Sequence, residues 1–415
     1  ALAAMVKGAT VVPTPDQLGQ GYYEERPGLA DYMRLGYVPN QQQSDISDVP
    51  NGASSTLEYA LADFGLAQFA RSTGHDDVYQ RFLARSQNWT NLYNTNSGYL
   101  QPRSADGSFP AGNPVTTGMT TFGQSGFQEG NAGQYVWFVP QNLGGLVDTL
   151  GRDNVIRRLD TFFTQSNAGP NQPFYWAGNE VNMLVPWLYT YAGAPSKTQE
   201  RVHRLLTTMY SNTPGGEPGN DDLGALSSWY VWSSMGLYPT TPGTSTVAIG
   251  APIFPSVTLR LARGAVVIRA PGAAPGKYVK ALSVNNRPTQ QTSLSDLDGT
   301  RLLQFTLSST PTTWGASAPL PSFPAGPLRF PPGLTPVELT GADRRERVER
   351  RDVDIAGEVL LGDKTDLRAP LTSVDGSVSG VVQEYLVTRD KRDRPVRGYR
   401  RSGDCPRTRG ECCRT

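Results

Sequence analysis

Hydrophobic positions along the chain follow two regimes, with a switch near residue 238. In the first regime, residues 55–70 place Leu57, Leu61 and Phe64 on one helical face and Ala62, Leu66 and Phe69 on another. A helix apolar nearly all round is buried on both sides. The next segment, 76–93, carries Val78, Phe82, Leu83 and Trp89 on a single stripe and predicts an amphipathic helix. The alternation recurs in 140–150 with 153–164, in 181–191 with 197–210, and in 222–237. Buried helices alternating with one-sided helices predict a toroid of nested helical hairpins rather than a bundle. Beyond Tyr238-Pro239 the period falls to two, through Val257, Leu259 and Leu261, then Val266 and Ile268, then 278–284 and 302–307. That pattern predicts strands.

The fold class expected is therefore mainly α: an (α/α)6 toroid over residues 1–238, incomplete at its N-terminus, followed by a small β-rich domain over 239–316. Prolines recurring through 317–340 read as a linker. The segment 341–415 opens with Arg344-Arg345-Glu346-Arg347, is Arg-rich and poor in aromatics, and has little means of building a core. It reads as a low-order or out-of-frame end in preference to a nucleic-acid arm.

Composition narrows the class. The 415 residues include 38 basic and 37 acidic side chains, which gives no pull toward a polyanionic partner. With 44 Gly, 33 Pro, 14 Phe, 18 Tyr and 7 Trp, the chain has the make-up of an extracellular, loop-rich enzyme with surfaces for stacking sugars. No apolar run approaches the ~18 residues of a membrane span. The opening Ala1-Leu2-Ala3-Ala4-Met5-Val6-Lys7 reads as the middle of a helix rather than as a signal peptide. His75 and His203 are the two histidines, both in polar, helix-edge contexts, so a Ser-His-Asp or His-metal site is not expected. Cys405, Cys412 and Cys413 all lie in the last 11 residues, so the body of the fold depends on no disulfide.

Candidate chemistry lies in three carboxylate-bearing stretches. Glu129-Gly130-Asn131 precedes the aromatic run Tyr135-Val136-Trp137-Phe138, and the neighbouring Phe127, Tyr135 and Trp137 are a setting that raises a carboxyl pKa. Trp176-Ala177-Gly178-Asn179-Glu180 leads into Pro186-Trp187-Leu188-Tyr189. Pro218-Gly219-Asn220-Asp221-Asp222-Leu223-Gly224 leads into Ser227-Ser228-Trp229-Tyr230, and Asp222 is expected to open the helix where the macrodipole favours its ionised form. Taken singly, Glu129 and the Asn220–Asp222 run read as dipole partners or N-caps. Ser55 with Glu58 matches a capping box. Asp63, on a helix buried all round, needs a partner or a ligand. Gly123-Gln124-Ser125-Gly126-Phe127 fails as a nucleophile elbow, since Phe127 stands where the last glycine belongs.

In combination and in this order, the three stretches, with Ser55–Tyr59 and the run Gly236 to Gly243, resemble glycoside hydrolase family 92, the calcium-dependent inverting exo-α-mannosidases. The resemblance spans residues 26–315. It implies Glu129 as the acid, Asp222 as the base and Asn220 in the base region. It further implies Glu58, Asp63, Asp221 and Trp176 as substrate-binding residues, and Asn179 and Glu180 as the Ca2+-binding segment. Inverting cleavage places its two carboxyl groups about 6.5–9.5 Å apart, with water between them.

Two positions depart from the family pattern. Where members carry an acid two residues before the base, this chain has Asn220. Where many carry a histidine pair, it reads Asn182-Met183-Leu184, which implies a different aglycone side. The function expected is removal of terminal α-mannosides, α-1,2-linked or phosphate-capped, from an N-glycan or mannan, by a secreted or cell-surface monomer. The competing readings are a toroid glycosidase acting on α-glucosides and an inactive fragment or glycan-binding remnant. Because the toroid is expected to lack its first helices, large apolar side chains on the helix 55–70 are expected to be left in water.

Overall fold

The computed structural model describes residues 1–12, 25–40, 51–299 and 301–324, together with the strand Val359–Leu360. The helical part comprises α1 (Leu2–Gly8), α2 (Leu29–Leu35), α3 (Gly52–Ser72), α4 (Asp76–Arg85), α5 (Ala132–Tyr135), α6 (Leu143–Leu150), α7 (Arg152–Phe162), α8 (Leu188–Tyr191), α9 (Pro195–Thr208) and α10 (Ala225–Ser234). Between them lie two short hairpins, β1 (Tyr93–Asn94) with β2 (Tyr99–Leu100) and β3 (Met119–Thr120) with β4 (Gly123–Gln124).

The longest helix, α3, starts three residues before the expected Ser55. Its first amides are satisfied from a distance: Ala53 N–H and Ser54 N–H both donate to Gly126 O. The Ser55–Glu58 capping box is therefore not what begins the helix. Gly52 is required at its start, because an added Cβ would lie 2.7 Å from both Asn40 N and Val38 O.

Around α3 the core closes more fully than the sequence predicted. Phe64, Leu66, Ala67 and Ala70 pack with Tyr79, Phe82, Leu83 and Phe323, and Leu2 and Val6 of α1 lie against that cluster. Leu57 joins the main helical core with Trp89, Trp137 and Trp187. Among the described residues the exposed large apolar side chains are Met5, Val11, Met33, Phe122 and Leu223, none of them on α3. The expected uncovered flank is thus absent there; the open stripe of α3 carries Glu58 and Ala62 instead.

Strands take over from Leu237 onward. Strands β5 (Leu237–Tyr238), β6 (Thr246–Ile249) and β11 (Thr292–Ser293) form a three-stranded sheet in the order β11-β6-β5. A six-stranded sheet has the order β10-β9-β12-β8-β7-β13, built from β7 (Ser256–Leu261), β8 (Gly264–Arg269), β9 (Tyr278–Val284), β10 (Arg287–Thr289), β12 (Arg301–Ser308) and β13 (Val359–Leu360). Only the β12–β8 pairing within it is parallel. Val257, Val266, Ile268, Val279, Leu303 and Phe305 bury the inner face, as period-two alternation requires.

The two parts share a packed boundary. Trp187 stacks on Tyr238 with centroids 5.2 Å apart, and Gln199 of α9 accepts from Val279 N of β9 at 2.8 Å. Residues 317–324, expected to begin a linker, are laid across the helical part. Phe323 N–H donates to Gln141 O, and Ser322 Oγ donates to Asn142 and accepts from Gly144 N. Leu320 and Phe323 supply the apolar burial that anchors this stretch. The rest of the expected linker and the Arg-rich segment, apart from β13, lie outside the described residues.

Candidate active site

Glu129 stands on a turn held from every side. Its own backbone is in the left-handed region, with φ 47°. Gln128 N–H donates to Ser54 Oγ at 2.7 Å, and Gln128 O accepts from Tyr135 Oη at 2.8 Å. Gly130 O accepts from Gln124 N at 2.8 Å, and a Cβ on Gly123 would sit 2.7 Å from that same oxygen. Asn131, fully buried, caps α5 by accepting from Gly133 N and Gln134 N while its amide donates to Pro170 O and Gln172 O. These contacts fix an L-residue in a conformation that costs on the order of 1–3 kcal/mol, the sort of strain that persists where surroundings over-determine it.

Asn179 brings the second stretch to the first. Its Nδ2 donates to Glu129 O at 2.9 Å and its Oδ1 accepts from Val181 N at 3.3 Å. Asn179 thus ties the Glu129 turn to the Glu180 turn, and its Oδ1, with one long hydrogen bond, keeps a second lone pair. Glu180 follows it, solvent-exposed, at the start of a short 3-10 helix. Trp176 is half-buried, pairing with Asn167 through a single β-bridge.

The third stretch abuts the second through glycine. A Cβ on Gly178 would meet Pro218 O at 2.6 Å, and one on Gly219 would meet Gly178 O at 2.7 Å. Asn167 Nδ2 adds a bond to Pro218 O at 3.0 Å. Asn220 and Asp222 are exposed, and Asp221 is half-buried. Asp222 opens only a short 3-10 turn, Asp222–Gly224, which a kink at Leu223 separates from the following helix. Asp221, Leu223 and Gly224 all have positive φ, and α10 begins only at Ala225. It is Asp221 that meets α10, accepting from Ser227 N and Ser227 Oγ, each at 2.9 Å. Asp222 is turned out of the helix, beside a Leu223 that is 92% exposed.

The carboxylates converge. The Glu180 carboxyl is raised by partial burial and then by the negative charges of Asp222, Glu129 and Asp221. One acidic patch thus gathers the candidate acid, the candidate base and the expected metal residue. Among the described residues, no three His, Cys, Asp or Glu side chains come together closely enough to hold a metal by themselves. The aromatic enclosure expected around Glu129 is absent: Phe127, Tyr135 and Trp137 are buried behind the turn, and Glu129 itself is exposed.

Glu58 faces the same region from α3. Its side chain reaches solvent, yet the surrounding protein pushes its carboxyl up to about 7, as in a recess rather than a sealed core. Both Glu58 and Glu129 act on the Tyr135 hydroxyl. Asp63, by contrast, does not join the site. It is fully buried and binds Arg26 at 2.8 Å, Arg85 through two bonds and Tyr32 at 3.0 Å. Its partner is a pair of arginines, so it is a core anchor and not a substrate contact. Asn182 is likewise fully buried and Met183 nearly so; the positions singled out for the aglycone side lie in the core.

Sequence reasoning missed Glu217, which is half-buried and whose carboxyl is raised by that burial and then by the negative charge of Asp221. Its spacing, four residues before Asp221, was the available signal. The left-handed backbone at Glu129, Asp221 and Leu223 had none.

Comparisons with known proteins bear on this geometry. The family description "Glycosyl hydrolase family 92 catalytic domain" matches residues 1–309. An uncharacterized secreted glycosidase of Arthroderma benhamiae is 29% identical over 286 residues, covering 63% of this chain and 34% of the relative. A family GH92 α-mannosidase of Bacteroides thetaiotaomicron, solved with mannoimidazole, superposes with a TM-score of 0.65 at 30% identity, covering 71% of this chain and 40% of that one. A family GH92 inverting mannosidase of the same species gives 0.66 at 26% identity, covering 77% and 45%. The chain therefore spans less than half the length of these relatives. With residues 1–309 of the chain matching the family's catalytic domain, the chain belongs to glycosyl hydrolase family 92.

Proposed function

We propose that this chain carries the catalytic carboxylates of an exo-acting α-mannosidase that cleaves terminal α-mannosides of glycans with inversion. The observation that carries this reading is that the three carboxylate-bearing stretches are tied together, Asn179 joining the Glu129 and Glu180 turns and Gly178 packing against Pro218 and Gly219 just before Asp222. Glu129 protonates the leaving oxygen. Asp222, turned out of the α10 start, deprotonates the attacking water. Asn220 lines the base side, while Glu58 and Trp176 face the sugar. The helical part is read as an arc of an (α/α)6 toroid with this patch at its open end.

Calcium is part of the reading. The donors at the patch are carboxyl and backbone oxygens, the ligands that a hard cation takes. Glu180 and Asn179 are the residues that would hold the ion. When bound, Ca2+ neutralises the like charges gathered there and binds vicinal hydroxyls. The substrate is a mannose-bearing N-glycan or mannan, α-1,2-linked or phosphate-capped, and the protein is a secreted monomer. The secreted relative supports the secretion, and the mannosidase neighbours support mannose as the sugar.

The test uses residues 1–415 with aryl α-mannosides. Glu129→Gln is expected to lose at least a hundredfold in kcat on substrates with poor leaving groups and far less on activated ones. Asp222→Asn is expected to lose both. Chelation should silence the wild type, and added Ca2+ should restore it. Equal loss on both substrate types in Glu129→Gln, or preference for aryl α-glucosides, defeats the assignment.

A further inference from the structure

Asn51 stands at the N-cap position of α3 with an extended backbone, φ −72° and ψ 92°, yet its side chain caps nothing. Asparagine is among the strongest caps, but here the amides of Ala53 and Ser54 go to Gly126 O. Asn51 Nδ2 instead reaches a residue 77 positions on and donates to Gln128 Oε1 at 2.7 Å. Gln128 immediately precedes Glu129, and both are exposed. Its backbone is pinned on either side, by Ser54 Oγ at 2.7 Å and by Tyr135 Oη at 2.8 Å. Ser55 and Glu58 continue the Asn51 stripe of α3 at helical spacing, so the amide pair stands at the end of the open stripe. One bond between two amides uses half of what they offer. Gln128 Nε2 keeps two N–H donors and Asn51 Oδ1 keeps its lone pairs, and among the described residues neither atom has a partner. Turning both amides over leaves the same complement, one NH2 beside one carbonyl.

We propose that the Asn51–Gln128 amide pair is the subsite for the leaving group and selects a neutral sugar, through two adjacent hydroxyls, over a phosphate-linked one. A hydroxyl both gives and takes a hydrogen, so a neighbouring pair of them satisfies a donor beside an acceptor. A phosphodiester has no hydrogen to give, and its negative oxygens would meet the free carbonyl. The side of the site follows from the chain. Glu129 O is tied through Asn179 to the Glu180 turn, and Gly178 packs on Gly219 just before Asp222. The base thus lies one way from Glu129, while Gln128 and α3 lie the other. In an inverting reaction the base and the leaving group take opposite faces of the sugar ring, which puts the amide pair with the leaving group. The inference rests on Glu129 and Asp222 being acid and base, and its test separates the two ideas.

The test compares methyl α-mannoside with α-1,2-linked mannobiose in the full chain. Both have poor leaving groups and need the acid, but only mannobiose offers hydroxyls to the amide pair. The readout is the ratio of kcat/KM on mannobiose to kcat/KM on methyl α-mannoside. Gln128→Met keeps length and loses the amide, and the ratio is expected to fall about tenfold, the size of two neutral hydrogen bonds. Asn51→Ala loses one partner and should lower it about threefold. An unchanged ratio overturns the proposal; equal loss on both substrates would mean that the pair serves only the Glu129 turn. A wild type that cleaves a mannosyl phosphodiester in preference to mannobiose also overturns it. Calorimetric titration of mannobiose into Glu129→Gln, with and without Gln128→Met, reads the contact without turnover. Affinity should fall about tenfold with the second change; equal affinity, or no binding to either, overturns the subsite. If the wild type cleaves α-glucosides instead, methyl α-glucoside and an α-linked glucobiose replace the pair of substrates in both measurements. A fallen ratio there keeps the subsite and removes mannose as the sugar.

Discussion

At the scale of single residues, the left-handed backbone separates function from packing. Asn285 and Asn286 have positive φ at the β9–β10 hairpin, where asparagine is an ordinary turn residue. Glu129, Asp221 and Leu223 also have positive φ, and each flanks the acidic patch. The residue types at the patch were legible in the sequence; the strain was not, since conformation at a turn is set by contacts from elsewhere in the chain. Asp63 shows the reverse case. Its place on a buried helix showed that it needed a partner, but Arg26 lies 37 residues before it and Arg85 22 after, and sequence spacing does not reveal such pairs. Asp63→Asn leaves Arg85 and Arg26 charged and largely buried without their counter-ion. The expected cost is about 3–5 kcal/mol, read as a lowered urea midpoint with an unchanged slope. A loss below about 1 kcal/mol would mean that the pair is relieved by solvent.

At the scale of elements, period was read better than extent: the helix expected over 76–93 ends at Arg85, and the stretch 181–191 holds short 3-10 turns before the four-residue α8. The helix at residues 52–72 was found from its apolar positions, but its true start depends on Gly126 O, more than 70 residues away. The same holds at α10, where an N-capping acid was expected and the cap belongs to Asp221 in place of Asp222. Freed from capping, Glu58 lies on the open stripe of α3 with its carboxyl raised to about 7 by the protein around it. The folded state therefore holds a proton that the unfolded chain has released above about pH 4.5. Stability attributable to Glu58 is full at lower pH and is lost as pH rises through about 7. Glu58→Gln should flatten that decline, so the variant gains on wild type between pH 5 and 8 in urea unfolding. Because the side chain reaches solvent, screening trims the size of the gain. An identical pH slope in both proteins would place Glu58 in open water.

At the scale of the molecule, the switch from helix to strand was plain in the periodicity, but the joint between the two parts was not. Both histidines read as polar, helix-edge residues, and His75 does lie near the surface, before α4. His203 instead sits buried on α9 between the two parts. Its Nε2–H donates to Ala251 O at 2.7 Å, and its Nδ1 accepts from Gly276 N at 2.9 Å. That arrangement requires the neutral ring; a proton on Nδ1 would break the bond to Gly276 and bring a charge into the joint. Burial lowers the His203 pKa, against a smaller opposing effect of the Ala251 bond. The unfolded chain takes up the proton near pH 6.5, whereas the folded one resists until lower pH. The stability that His203 contributes is therefore full above about pH 6.5 and falls as the solution is acidified below it. Glu58 acts in the opposite direction over part of this range, so only single-site variants separate the two. His203→Gln can make one bond to each side and never ionises. Its unfolding free energy should fall less than that of wild type between pH 7 and pH 5, with the strand domain followed by Trp314 fluorescence. If wild type and variant lose stability in parallel over that interval, the joint is not where acid acts.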